Sequence, residues 1–185
     1  THFNIHGMKI DTASGSGIVT INNGMFQDNS GDGLLLDSNK TVTLKTIDAS
    51  YNSGNGAVLD TCQYDDLLGY CLGSGTITLD SPTSGSWYSA NYFLGNSGTG
   101  LLIRAGSTIK LTNTSAYDNL ENGLEIDNSG SSINIIIRTN LTNFSNVYRS
   151  NGVSGVKITT GGKIMIYDTD ADSNGLNGFQ LSSGS

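Results

Sequence analysis

Glycine residues recur at a fixed spacing along most of the chain, and each stands immediately before a short apolar segment. Successive members of this series are 23, 44, 23, 32 and 23 residues apart, so the longer gaps correspond to one period with an insertion. A repeat of this length is the signature of a solenoid, in which each copy buries its apolar face only by stacking on its neighbours. The series consists of Gly33, Gly56, Gly100, Gly123, Gly155 and Gly178, and Gly7 begins a weaker first copy.

Further residue types recur at fixed positions when the copies are aligned on these glycines. Apolar residues occupy the positions one and three after the glycine, and a second apolar pair follows in the same copy, as at Ile109 and Leu111. Because the two members of a pair are two residues apart, both side chains leave a strand on the same face. An asparagine stands four residues before each glycine, which gives the column Asn29, Asn52, Asn96, Asn119, Asn151 and Asn174.

These columns predict an all-β chain whose copies stack as parallel strands about 4.8 Å apart, in a solenoid of about seven coils that forms a single domain over residues 1–185. Leu, Ile and Val columns then fill the interior. The asparagines fit a turn with left-handed backbone conformation, and their side chains can hydrogen-bond from coil to coil. Ligand binding is the alternative use of this column. An up-and-down antiparallel barrel is the alternative fold, but it would not need one turn residue at the same phase in every copy.

The pattern N-x-x-x-G-h-x-h, followed by a second h-x-h in which h is apolar, resembles the repeats of the pectate-lyase-like superfamily from about Gly7 to Leu181. The resemblance implies a right-handed parallel β-helix with a 23-residue repeat. It does not by itself imply one function, because that superfamily includes lyases, hydrolases, phage tailspikes, adhesins and surface proteins.

The acidic composition limits the class of partner. The chain has a net charge of −7, which argues against nucleic acid and anionic membrane surfaces, and no apolar run approaches the roughly 20 residues of a membrane span. Cys62 and Cys71 enclose a short segment and are predicted to form a disulfide, which indicates an oxidising, extracellular or cell-surface location. Glycosylation sequons agree with that location and begin at Asn39, Asn113, Asn140 and Asn143.

Three insertions interrupt the repeat, near residues 61–72, 80–91 and 138–147. Insertions in a solenoid are the usual place for function. We expect their aromatic residues to form an exposed ridge beside carboxylates, which suits carbohydrate because a flat ring face can stack on a sugar. The alternative is that these rings fold back and cover the side of the solenoid. The candidate carbohydrate-binding residues are Tyr64, Trp87, Tyr88, Tyr92 and Phe144.

A charged column on the outer face of the first strands is the candidate catalytic site. Asp37, Asp60, Arg104 and Asp127 occupy the same outward position in successive copies. In the lyase-like enzymes that the repeat resembles, acidic and basic residues on such a face act on polysaccharides, and a hydrolase needs two carboxyl groups. The alternative is a structural charge ladder in which Arg104 relieves the neighbouring aspartates. No coherent catalytic motif accompanies the column, which favours a role other than catalysis.

No cofactor or metal is expected. Asp168, Asp170 and Asp172 alternate in an acidic stripe that would bind Ca²⁺ only if the carboxylates converged, and a solvated edge is the alternative. The chain begins at Thr1 without a signal peptide and stops within a copy at Ser185, which indicates a mature or excised segment. The sequence predicts an extracellular structural or adhesive module of a cell-surface or filament-forming protein. The expected partners are copies stacked end to end or flanking coils of a longer chain, and polysaccharide.

Overall fold

All regular secondary structure in the described part of the chain is β-strand. The computed structural model describes residues 5–65, 67, 70–82, 90–129, 131–140 and 144–183. Among these residues there is no helix long and apolar enough to cross a membrane. The strands assemble into two parallel sheets and a small antiparallel hairpin, which agrees with the all-β prediction and excludes the antiparallel barrel for the described residues.

The first sheet is built from the segments that follow the aligned glycines. Its neighbours pair in parallel and in the predicted register, since Leu34 lies beside Ala57 and Ala57 lies beside Leu101. In spatial order the strands are β1 (Met8–Thr12), β3 (Leu34–Ser38), β5 (Ala57–Asp60), β10 (Leu101–Arg104), β13 (Leu124–Asn128), β16 (Ser154–Thr160) and β19 (Asn177–Ser183).

The second sheet has two arms that meet at a long strand. That strand is β4 (Val42–Asp48), and β2 (Val19–Met25) pairs along its length. The arm that we call the β8 arm consists of β8 (Ile77–Asp80), β11 (Ile109–Thr112), β14 (Ile135–Arg138) and β17 (Ile164–Ile166). The arm that we call the β9 arm consists of β9 (Asn91–Leu94), β12 (Thr114–Tyr117), β15 (Asn146–Arg149) and β18 (Thr169–Asp170). Outside both sheets, the antiparallel hairpin pairs β6 (Tyr64–Asp65) with β7 (Tyr70–Cys71).

The core lies in the space that the strands enclose. Along the first sheet, buried and partly exposed residues alternate, as the period of a strand with one face inside requires. Leu36, Leu59 and Ile103 form one fully buried column. Phe93 and Tyr148 enter the core from the β9 arm and are also fully buried. The apolar columns in the sequence are therefore the core of the solenoid.

The six asparagines form a continuous row along the axis, which we call the Asn ladder. At each step the side-chain amide of one asparagine donates to the Oδ1 of the next, at 2.8 to 3.0 Å, as between Asn96 and Asn119 at 2.9 Å. The backbone N–H of the same donor residue points to the same oxygen, as from Asn96 at 3.0 Å. Each step thus satisfies buried polar groups that lie inside a turn.

The left-handed residue of this turn is not the asparagine, and that expectation was wrong by one position. Positive φ occurs instead at the residue before each asparagine, for example φ of 58° at Asp118 and 62° at Gly95. The side chain of each asparagine forms the hydrogen bonds of the Asn ladder. The residue before it adopts the left-handed conformation of the turn. Asp, Ser and Gly, which dominate this preceding position, tolerate the left-handed region or turn conformations well.

The aligned glycines are required by close contact between coils. A Cβ atom added at Gly123 would lie 2.6 Å from Asn151 Nδ2 and 2.7 Å from the carbonyl oxygen of Gly155. Both atoms belong to the next coil, and 2.7 Å is well inside carbon–oxygen contact distance. Only a hydrogen fits at this position, so the glycine column follows from stacking and not from a positive φ.

The two outermost strands of the first sheet have apolar residues with only one neighbouring coil. Among the described residues, β1 pairs only with β3, and β19 pairs only with β16. Met8 is 39% exposed, Phe179 40% and Leu181 48%, although equivalent residues in the middle of the sheet are fully buried. The same side chains that form the core inside the stack are therefore half-exposed at its outer coils.

Candidate functional site

The charged column lies on the outer face of the first sheet as the register requires. Asp60 lies beside Asp37 on one side and beside Arg104 on the other. Arg104 Nη1 is 3.9 Å from Asp60 Oδ2, and its Nη2 is 4.0 Å from Asp127 Oδ2. One guanidinium group thus stands between two carboxylates and lowers the repulsion between neighbouring coils.

Asp37 continues this column and lies between Asp11 and Asp60, so both of its axial neighbours are carboxylates. Partial burial, together with the neighbouring Asp60 carboxylate, raises the pKa of Asp37, and a hydrogen bond from Gln63 Nε2 acts in the opposite direction. Gln63 lies in the inserted hairpin segment, so this contact fastens the insertion to the first sheet. The folded structure therefore disfavours the ionised form of Asp37 relative to its protonated form.

Three residues of the column, Asp60, Arg104 and Asp127, line a surface depression of about 380 Å³. Val58 and Leu102 form its apolar floor, and Arg104 lies between the carboxylates of Asp60 and Asp127. A glycoside hydrolase needs room for substrate or water between its two carboxyl groups, and here the guanidinium group occupies that place. The geometry favours the charge-ladder interpretation, while the polysaccharide lyase or hydrolase stays an alternative prediction.

The predicted disulfide between Cys62 and Cys71 is present and closes the inserted hairpin. The backbone N–H of Cys62 donates to Asp60 Oδ1 at 2.7 Å, and Cys71 Sγ lies 3.2 Å from Ser131 Oγ. The first contact lies within the hairpin's own coil, and the second ties the hairpin to another coil. Tyr64 belongs to β6 of this hairpin.

An aromatic surface lies on the outer face of the β9 arm, and we call it the aromatic depression. It has a volume of about 350 Å³ and combines side chains from three successive coils. The rings of Tyr92 and Tyr117 come from β9 and β12, and β15 provides an aliphatic and a guanidinium group. The lining residues are Tyr92, Ser115, Tyr117, Phe144, Val147 and Arg149.

The aromatic ridge expected from the sequence is thus in part a depression. The structure brings Tyr92 and Phe144 together, but Phe144 is only 7% exposed and packs as a wall rather than projecting. Trp87 and Tyr88 lie outside the described residues.

Sequence reasoning missed Tyr117, although the repeat contains the signal for it. Tyr117 directly follows Ala116 of an inward column, so strand alternation turns its side chain outward. Its pKa is raised by partial burial, by Tyr51 and by Asp118, while Arg149 acts against them. The hydroxyl therefore stays protonated and can donate a hydrogen bond at neutral pH.

Burial of Asn113 argues against glycosylation at its sequon. Asn113 is fully buried, and its side chain binds Ser81, Thr139 and Asn140. A glycan would have to replace these contacts inside the wall. Asn39 is partly exposed and Asn140 is exposed, while Asn143 lies outside the described residues.

The acidic stripe near the last coil does not gather into a metal site. Asp172 Oδ1 lies 3.9 Å from Nε of Arg149, and Asp170 is part of β18. Across the residues that the structure covers, no three His, Cys, Asp or Glu side chains are grouped to hold a metal ion. The contact between Asp172 and Arg149 places one carboxylate of the stripe beside the aromatic depression.

One family comparison matches almost the whole chain. The family model described as a right handed beta helix region matches residues 2–185. No curated protein and no solved structure matches the chain. The family match agrees with the parallel register in the structure and confirms the right-handed parallel β-helix that the repeat predicts.

Proposed function

Because the chain belongs to the right-handed β-helix family, we propose that it is a structural and adhesive module of an extracellular protein and that it contacts carbohydrate through the aromatic depression. The disulfide supports this location, since disulfides persist in oxidising compartments. The carbohydrate contact rests on one observation, the convergence of two tyrosines, a phenylalanine wall and an arginine on one outer face.

The chemistry of the aromatic depression suits a sugar. The ring faces of Tyr92 and Tyr117 offer apolar area for the C–H face of a pyranose, and the Tyr117 hydroxyl and Arg149 offer hydrogen-bond donors at the edge. An aromatic side chain also loses little conformational entropy when a ligand binds. The combination of a flat apolar surface with a few polar groups is what a neutral carbohydrate face requires.

The fold holds these groups in place. The rings project from adjacent parallel strands, and the register pairs Ser115 with Tyr92 and Tyr117 with Leu94. Sites on strands are more precise than sites on loops, because backbone hydrogen bonds fix each Cα position. The Asn ladder adds a second set of axial bonds beside these strands. The β-helix therefore supplies a rigid surface for adhesion.

Binding to a glycan array, followed by titration calorimetry of the hits, tests this function. We expect Tyr117→Ala to weaken binding by about tenfold or more, because it removes a stacking surface. The matched control is Tyr167→Ala, since Tyr167 is an exposed tyrosine outside the aromatic depression. The proposal fails if the native chain binds no glycan, or if both variants lose affinity equally.

A second candidate function, axial self-assembly, is supported by the half-exposed core residues of the outer coils. We propose that β19 of one copy pairs with β1 of a second copy, in the parallel register that the coils already use within the chain. Phe179 and Leu181 would then be covered by Met8 and Ile10, as Leu34 and Leu36 are covered by neighbouring coils. An uncovered strand edge favours such pairing.

Electron microscopy and sedimentation of the purified chain test the assembly. We expect filaments or short stacks from the native chain and from the control Gln180→Lys, whose altered side chain points outward. Leu181→Lys places a charge inside the predicted contact and should leave monomers. Monomers of the native chain at high protein concentration would contradict self-assembly, and flanking coils would then be the expected neighbours.

A further inference from the structure

We infer that the aromatic depression selects neutral oligosaccharides over acidic ones, and that Tyr51 forms a second stacking position beside it. The inference rests on the proposed function, because it specifies the ligand of the same surface. Two observations carry it. They are the distribution of charges around the depression and the position of the Tyr51 ring across Gly95.

Carboxylates surround the aromatic depression in the described residues. Asp48 lies beside Tyr92 in the register, and Asp118 directly follows Tyr117. On the far side, Asp170 lies beside Val147 of β15. All of these are neighbours of lining residues on the outer face, so their negative charges add at the depression.

The cation of the depression is already engaged. Arg149 Nε lies 3.9 Å from Asp172 Oδ1, and both side chains are about half-exposed. The sequence segments 83–89 and 141–143, which flank this surface along the chain, contain no charged residue. Among the described residues, the depression thus has three aspartates beside its lining residues and a fourth that contacts its one lining arginine. A uronic acid or a sulfated sugar would be repelled, whereas a neutral sugar meets no such penalty.

Tyr51 extends the aromatic surface along the helix axis. Its side chain is 58% exposed, and its backbone N–H donates to the carbonyl oxygen of Leu94 at 2.7 Å. The ring lies over Gly95 in the next coil, where an added Cβ would be 2.8 Å from Tyr51 Cδ1 and 2.9 Å from Cε1. Tyr51 also influences the pKa of Tyr117, so the two phenols are near each other.

The glycine at position 95 makes room for this ring. The other members of the left-handed column are aspartate, serine or tyrosine residues, which shows that the backbone conformation alone does not demand glycine. The close approach of the Tyr51 ring does demand it, because any Cβ at Gly95 would displace the ring. Gly95 is thus a positioning residue for the second stacking position.

The selectivity is tested by calorimetry on the native chain. The neutral probes are gluco-, manno- and xylo-hexaoses, and the acidic probes are hexamers of galacturonate and mannuronate. We expect the neutral hexaose that binds best to bind about tenfold tighter than any uronate. Its Kd should also be insensitive to salt.

The double variant Asp118→Asn with Asp170→Asn should bind uronates more tightly than the native chain does. The difference in affinity between the neutral hexaose and the uronates should therefore become smaller. Equal or tighter uronate binding by the native chain would overturn the inference and leave the proposed carbohydrate contact intact. Binding of neither class would refute both.

The second stacking position is tested with Tyr51→Ala and Gly95→Ala. Each should weaken binding of the neutral hexaose by about three- to tenfold, and the double variant should lose little more than either single variant, because both disturb one ring. The exposed position of Tyr51 keeps Tyr51→Ala informative even if Gly95→Ala unfolds. Gly17→Ala is the control, since nothing lies within 4 Å of a Cβ at that glycine. Unchanged affinity in Tyr51→Ala would overturn the role of Tyr51.

Discussion

Removal of one asparagine from the Asn ladder is the most direct perturbation of the fold. Asn119 lies in the middle of the ladder and is 2% exposed. Its amide donates to Asn151 Oδ1 at 2.9 Å and to the carbonyl oxygen of Phe93 at 3.0 Å. Its Oδ1 accepts from Asn96 Nδ2 at 2.9 Å and from Asn96 N–H at 3.0 Å. Asn119→Ala therefore deletes four buried hydrogen bonds at once.

The expected loss follows from these four contacts. A buried hydrogen bond contributes about 1 kcal/mol net to the free energy of unfolding, and a donor left without an acceptor costs more. Asn96 N–H loses its acceptor, while Asn96 Nδ2 keeps the carbonyl oxygen of Ala49 at 3.1 Å. Asn119→Ala should thus lower the free energy of unfolding by about 3 to 5 kcal/mol.

Urea unfolding at constant m-value measures this loss. The matched control is Asn134→Ala, because Asn134 is exposed and its Oδ1 accepts only one bond, from Lys163 N–H at 3.3 Å, in the described contacts. That control should stay within about 0.5 kcal/mol of the native chain. If Asn119→Ala costs no more than the control, then the ladder does not stabilise the fold and the reasoning is refuted.

Asn119→Asp separates hydrogen bonding from volume. The substitution keeps the shape but turns the donor group into an oxygen that faces Asn151 Oδ1 and the Phe93 carbonyl. The buried carboxylate should destabilise the chain more at neutral pH than at about pH 3, where a protonated carboxyl can again donate a bond. An equal loss at both pH values would contradict the donor role of the amide.

Three further predictions concern the coil contacts, the hairpin and the charged column. Gly123→Ala should lower the free energy of unfolding by about 1 to 3 kcal/mol through overpacking, and so lower the melting temperature of the protein. The control Gly17→Ala should leave that melting temperature nearly unchanged. Replacement of Cys62 and Cys71 by alanine should cost about 2 to 3 kcal/mol in urea unfolding, because the closed loop is short. Asp37→Asn should stabilise the chain at neutral pH. The folded-state pKa of Asp37 is raised, so its ionised form costs stability above that pKa, and the gain should vanish below the unfolded carboxyl pKa.

The candidate sites show how far the sequence reaches. The neighbours of Asp60 in the charged column could be read from the repeat, because axial neighbours are one period apart. Tyr51 and Gly95 also stand at one phase of the repeat, each directly before an asparagine of the Asn ladder, so their axial proximity could be read in the same way. Tyr117 stands one position earlier in its copy, and only the turn geometry decides that the rings of Tyr51 and Tyr117 are near each other.

The burial of Asn113 also needed the coordinates. Asn113 begins a sequon in the sequence, yet its side chain is fully buried and contacts Ser81 and Asn140 of neighbouring coils. The left-handed residue of the turn was displaced by one position from the asparagine for a related reason. A polar residue in a turn can serve the backbone or a neighbouring coil, and the sequence pattern does not distinguish the two.

The sequence by itself determined the stacking direction of this protein, its core columns and the residues that repeat along its axis, because a solenoid places each residue on its counterpart one period away. The tertiary structure alone decided what meets across the outer surface. Contacts between different phases, such as those of the aromatic depression, depend on turn angles and on how insertions pack, and neither quantity repeats with the period.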